Sequence, residues 1–159
     1  MTEAVKAVVA VHIDDAPARV KPSNYPEPFA SMMAGRTKRA LGDIFGLTSF
    51  GVNYVALQPG SMSALNHRHS VQDEFILVVT GQLVLVHDDG ETVLTPGMCA
   101  GFRHQGTAHH LENRLEVAAT YIEIGDRQAG DTVTYPRNDL EAVRDENGWQ
   151  FIHKTGEPY

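Results

Sequence analysis

The sequence predicts an all-β domain, a sandwich or barrel of short antiparallel strands. Three observations carry the prediction. Between Phe50 and Ile124 apolar runs of four to eight residues are separated by Gly and Pro turns. Asp88-Asp89-Gly90 is a hairpin signal, because Gly accepts the positive φ that tight hairpin turns require. Only two brief segments, Arg39 to Phe45 and Asn138 to Arg144, read as helical.

In chain order, Val5 to Ile13 is rich in β-branched residues and reads as an early strand, a candidate for exchange between subunits. Lys21 to Pro28 contains three prolines and reads as an extended loop. Arg36-Thr37-Lys38-Arg39 reads as a solvated loop or a structural ion pair, and Arg39 to Phe45 as a short helical turn limited by Gly42 and Gly46. The strands follow: Val52 to Leu57, ended by Pro59-Gly60; Glu74 to Val79, turned by Thr80-Gly81; Gln82 to His87; Glu91 to Leu94, ended by Pro96-Gly97; Cys99 to Phe102; His109 to Asn113; and Val117 to Ile124. Asn138 is placed to cap a brief helix through Arg144, and Trp149 to His153 closes the chain as a strand. Residues 1–159 read as a single domain with its barrel core at about 50–124 and the flanks packed on it.

Composition excludes several partners. With 20 acidic and 13 basic residues the formal net charge is −7, so the chain lacks the basic balance that a phosphate backbone demands, and no nucleic acid is expected. The longest apolar runs, Ala7 to Val11 and Phe75 to Val79, are far too short to span a bilayer. No signal peptide is read in the opening Met1 to Lys6. One cysteine, Cys99, cannot form an intrachain disulfide and fits a reducing cytoplasm; it reads as a small buried apolar residue.

The chemistry concentrates at His67-Arg68-His69 and Glu74. Side chains alternate along a strand, so His67 and His69 share a face while Arg68 points away. A carboxylate at Glu74 and an imidazole at His109 complete a set of three nitrogens and one oxygen suited to Zn, Fe, Mn, Ni or Co, with positions open for water or substrate. His110, next to His109, should face away, and Asn113 should support by hydrogen bonding. The second ring nitrogen of each histidine needs an acceptor that the sequence does not identify. Candidates for a general base are His104, Tyr54 and Tyr121; Asn53 and Gln58 fall on faces the sequence leaves open.

Gly60, His67, His69, Glu74 and Gly81 resemble the first signature motif of the cupin superfamily. Gly97, Phe102, Gly106, His109 and Asn113 resemble its second. The flanks, with Arg36, Leu41-Gly42-Asp43, Phe50-Gly51-Val52-Asn53 and the closing Gly156-Glu157-Pro158-Tyr159, are similar to a group of bacterial single-domain cupins of unassigned role, some labelled sugar-phosphate isomerases. Departures are one extra residue between Gly60 and His67, Arg103 in place of a usual proline, one residue added before Gly106, and Met98 where an Asp often stands.

The resemblance implies a jelly-roll barrel with short irregular or helical flanks. It also implies one divalent metal held by His67, His69, Glu74 and His109, and a homodimer. The expected function is a metal-dependent enzyme on a small polar molecule, a sugar or organic acid, with isomerase-like or dioxygenase-like chemistry. The alternatives are a non-catalytic binder or sensor with a structural metal, and a metal-free interaction module.

Overall fold

Twelve strands, all paired antiparallel, account for nearly all the regular structure in the computed structural model, which describes residues 8–21 and 23–159. In chain order they are β1 (Arg36–Ala40), β2 (Phe50–Leu57), β3 (Arg68–His69), β4 (Glu74–Thr80), β5 (Leu83–His87), β6 (Gly90–Leu94), β7 (Cys99–Phe102), β8 (His109–Glu112), β9 (Ala119–Asp126), β10 (Thr132–Thr134), β11 (Glu141–Asp145) and β12 (Gly148–Ile152). A single α-helical turn, α1 (Leu41–Ile44), follows β1.

The strands form a five-stranded sheet, β1-β2-β9-β4-β7, a three-stranded sheet, β6-β5-β8, and a four-stranded sheet, β12-β11-β10-β3. An antiparallel bridge between His67 and His109 joins β8 to the residues just before β3, so the two smaller sheets continue into each other. This layer faces the five-stranded sheet. Val55, Leu57, Ile76, Val78 and Tyr121 from the larger sheet and Leu83, Leu85 and Leu111 from the other side form one buried cluster. A second cluster, Phe29, Met33, Leu65, Val133, Tyr135, Leu140 and Ala142, fastens the flanking segments to the open end. The jelly-roll expectation therefore holds, and the barrel strands lie within a residue or two of where alternation and turn residues put them.

Several flank expectations do not hold. Val8–His12 form no strand, and Ile13–Asp15 form a 3-10 turn; the rest of the expected early strand, residues 5–7, lies outside the described residues, as does Pro22. Arg36–Ala40 is an edge strand and not a loop: its side chains line a cavity on one face, which turns a charged run into a period-2 pattern. The helix expected from Asn138 to Arg144 is replaced by β11; Leu140, just before it, and Ala142 within it are buried two residues apart in the second cluster. Packing of two apolar residues at period 2 outweighs one favourable capping residue. Cys99 is exposed on the outer face of β7, opposite Leu77 of β4.

Candidate metal centre

His67 and His109 exchange both backbone hydrogen bonds, His67 N to His109 O at 3.1 Å and His109 N to His67 O at 2.9 Å. Directly opposed residues of an antiparallel pair present their side chains on the same face, so the two imidazoles stand side by side with ring centroids 4.7 Å apart. His69, two residues on, points the same way, with its ring 5.3 Å from that of His67. Glu74 comes from the opposing sheet, as the first residue of β4. β8 thus lies beside His67, and Glu74 closes the group from across the barrel.

The geometry of closure is tight. Glu74 Oε2 lies 3.3 Å from His67 Nε2 and 3.2 Å from His109 Nε2, and Oε1 lies 3.6 Å from His69 Nε2. The ligand atoms of His67, His69 and Glu74 all fall within 4.8 Å of one another, and His109 joins them through Glu74 Oε2. Two donor atoms each about 2.1 Å from a common ion stand roughly 3.0–3.4 Å apart; the His67 and His109 contacts fall in that range and the His69 contact is slightly longer. The four side chains are 7–18% exposed.

The other ring nitrogens explain why Nε2 faces inward. His67 Nδ1 donates to the Leu65 carbonyl at 2.8 Å, and His69 Nδ1 donates to Asp131 Oδ2 at 2.5 Å. His109 Nδ1 is 3.4 Å from the Thr107 carbonyl, and its ring stacks on Phe102 at 3.4 Å between centroids with 2° between planes. A carbonyl oxygen only accepts, so the proton of neutral His67 is assigned to Nδ1 and Nε2 carries a lone pair. That lone pair faces a carboxylate oxygen. Only a ring proton or a cation between the two relieves the repulsion, so the donor set fits a divalent ion.

Electrostatics follow the same pattern. Burial pushes the Glu74 carboxyl upward, but hydrogen bonds from His109 and His67 and the charges of the histidines outweigh it and hold it well below the usual carboxylate range. Burial lowers His69, yet the Asp131 hydrogen bond and the Glu74 charge raise it overall. Burial, reinforced by the neighbouring His67 charge, lowers His109.

A cavity of about 210 Å³ opens onto the cluster. Besides the four residues, Arg19, Lys21, Arg36, Lys38, Tyr121 and Glu123 line it. Glu123, on β9, faces in beside Glu74: its Cα partner on β4 is Ile76, one inward position along from Glu74. Lys38 Nζ donates to Glu123 Oε1 at 2.8 Å, and Asn53 Nδ2 donates to the same oxygen at 3.0 Å. The Glu123 carboxyl is pushed up by burial and pulled down further by Lys38, ending below its ordinary value.

Of the other residues singled out in the sequence, Tyr121 lines the cavity and Tyr54 does not. His104 lies outside it, exposed and bonded to Asp73 at 2.9 Å. His110 turns away, as expected, toward Glu112 at 2.9 Å. Asn113 is a support residue, donating to the Leu57 and Val117 carbonyls at 2.8 Å each. Gln58 is exposed at the end of β2.

Sequence reasoning missed Asp131, Glu123, Arg19 and Lys21; for Lys38 the expected alternative of an ion pair is met by Glu123, but its place at the cavity was not foreseen. Asp131 is fully buried and, besides His69, accepts from the backbone N–H groups of Ser70, Val71 and Gln72. No spacing rule links position 131 to position 69. Glu123 was within reach, because it alternates with Tyr121 on β9.

The sequence matches the cupin domain family over residues 53–125, the strands that carry Glu74 and His109. No curated protein matches the chain. Among solved structures, a sugar phosphate isomerase from a cupin superfamily of Silicibacter pomeroyi DSS-3 is 39% identical, with a TM-score of 0.89 over 94% of this chain and 96% of that one. A protein of Acidithiobacillus ferrooxidans, provisionally named a sugar phosphate isomerase, is 26% identical with a TM-score of 0.72 over 78% and 80% of the two chains. The polyketide cyclase RemF of Streptomyces resistomycificus, 18% identical with a TM-score of 0.63 over 76% and 80%, shares the fold. A likeness that runs the length of both chains, a matched domain on the barrel strands and an inward cluster of three histidines and a glutamate agree, and the chain belongs to the cupin superfamily.

Proposed function

We propose that His67, His69, Glu74 and His109 bind one divalent metal ion (Zn, Fe, Mn or Ni) and that the protein is a metal-dependent isomerase of a small polar substrate of the sugar phosphate type. The observation that carries the reading is the convergence of three Nε2 atoms on one buried carboxylate, at 3.2–3.6 Å, with the Nδ1 atoms of His67 and His69 committed elsewhere. A bound ion supplies Lewis acidity to a carbonyl or hydroxyl oxygen of a chelating substrate.

Moving a proton between adjacent carbons also needs a base that is not tied to the ion. Glu123 meets that need. Lys38 and Asn53 both engage its Oε1, which orients the carboxylate and leaves Oε2 without a partner among the described residues. Burial of this ion pair in a cavity wall carries a desolvation cost that packing alone would avoid, which argues for use at the site. The names carried by the Silicibacter and Acidithiobacillus proteins point the same way. The dioxygenase-like branch shares the ligand set but gives no role to Glu123.

Elemental analysis of protein purified without added metal, followed by NMR on aldose and ketose phosphates and an oxygen electrode, tests the reading. The expected result is about one ion per chain and aldose–ketose interconversion without oxygen uptake. Oxygen uptake would transfer the assignment to the dioxygenase branch. Ligand-induced stabilisation without product would transfer it to a binder or sensor. A metal-free chain indifferent to chelator would remove it. We also propose a homodimer, expected at twice the 17.4 kDa chain mass by light scattering, and a reducing cytoplasmic setting, in which the exposed Cys99 stays a thiol.

A further inference from the structure

The cavity runs against the charge of the whole molecule. Among the described residues four cations line it, Arg19, Lys21, Arg36 and Lys38, against two carboxylates, Glu74 and Glu123. A chain of net charge −7 has therefore placed a positive wall around one small opening.

The placement is built by the backbone. Ala18 bridges Arg39 in antiparallel sense, and Arg19 N donates to the Lys38 carbonyl at 2.8 Å. Arg39 Nη1 donates to the Ala16 carbonyl, and Ala16 is buried, so this segment is fastened along the outer edge of β1. The bridge and the Arg19–Lys38 hydrogen bond set Arg19 beside Lys38, and Lys21, two residues on, lines the same cavity as Arg36. Like charges directly opposite one another destabilise a strand pair. Lys38 is offset by Glu123 at 2.8 Å. Neither Arg19 nor Lys21 has a carboxylate within ion-pair distance among the described residues. Repulsion built into a cavity wall and left in place is what an anionic ligand would relieve.

We propose that Arg19 and Lys21 form an anion subsite at the cavity mouth that takes the phosphate group of a phosphate monoester, whose oxygen-bearing carbons then reach the histidine–glutamate cluster. Two adjacent cationic side chains match a dianion with three acceptor oxygens. The assignment rests on the metal-site reading for the far end of the substrate and not for the phosphate end. The N-terminal segment is thus a specificity element, outside the motifs that carry the metal ligands.

The test uses the full-length chain loaded with manganese. Calorimetric titrations with ribose 5-phosphate and fructose 6-phosphate are set against ribose, fructose and citrate, in wild type and in Arg19→Ala/Lys21→Ala. Both positions are exposed, so the variant is expected to keep its melting temperature and its manganese content. Wild type is expected to bind at least one sugar phosphate about tenfold or more tightly than the matching sugar, and the variant to lose most of that preference. No phosphate preference in wild type, or its full retention in the variant, overturns the proposal. Citrate bound more tightly than either sugar phosphate, with the same dependence on Arg19 and Lys21, would assign the subsite to carboxylates and overturn it as well. Manganese content is read separately: a chain that takes no manganese yet prefers phosphate through Arg19 and Lys21 sinks the metal reading and leaves this one standing.

Discussion

An imidazole that gives its Nδ1 hydrogen to a carbonyl has only a lone pair left at Nε2. That assignment at His67 turns a cluster of polar side chains into a set of donors suited to a cation, and the matching contact at His69 makes Asp131 as consequential as a ligand. Asp131 is fully buried and holds His69 at 2.5 Å while its other oxygen is fixed by backbone N–H groups. Asp131→Asn removes the charge that steadies the ring and leaves the ligand set formally intact, so metal affinity is expected to drop roughly 10- to 100-fold, read by competition with a chromophoric chelator. His67→Ala should abolish stoichiometric metal, whereas His110→Ala, one position from His109 but turned toward Glu112, should keep it. His67, His69 and Glu74 were legible because His-x-His on one face followed by Glu is a local signal, and His109 because it falls in the second motif. Asp131 and Lys38 were not: their roles depend on strand pairings, β3 with β10 and β1 with β2 and β9, that bring distant positions together.

At the scale of elements, the alternation of apolar residues located the barrel strands, but it failed where strands are short or charged. β3 has two residues and β10 three, too few to show a period, and β1 alternates cations in place of apolar groups. The turn between β4 and β5 was legible for a steric reason. Gly81 has φ +72°, and a Cβ there would stand 2.8 Å from the Ala119 Cβ. Gly81→Ala should therefore cost about 1–3 kcal/mol in urea unfolding, combining backbone strain with overpacking. The β1–β9 wall makes a pH-dependent prediction through Glu123. Its carboxyl is depressed in the folded chain, with Lys38 as the main cause opposing burial. A depressed carboxyl contributes stability that is fully present above its unfolded value of about 4.3 and is lost as pH falls through the folded value. Glu123→Gln should be the less stable protein at pH 7, because Lys38 loses its partner, and the gap to wild type should narrow as pH falls below about 4. Equal slopes for the two proteins in acid unfolding would show that the pair is not ionised together in the folded state.

For the whole molecule, the cluster lies where separate sheets meet. Glu74 belongs to the five-stranded sheet and His109 to the three-stranded one, while His69 belongs to the four-stranded sheet, which the His67–His109 bridge joins to its neighbour by one pair of residues. Without an ion, the two faces of the barrel meet at their junction only through contacts between Glu74 and the histidine rings that depend on ring protons. With an ion, the same atoms become a crosslink between the two layers. Binding to the folded state alone stabilises by RT ln(1 + [L]/Kd), about 4 kcal/mol at a thousandfold excess over Kd. Removal of metal by chelator should accordingly lower the melting temperature by several degrees or more, and readdition should restore it. The effect should be smaller in Glu74→Gln, which keeps the size of the side chain and loses the anion that bridges the sheets. If Glu74→Gln responds to chelator as fully as wild type, the ion is held by the histidine side alone and does not fasten the two layers together.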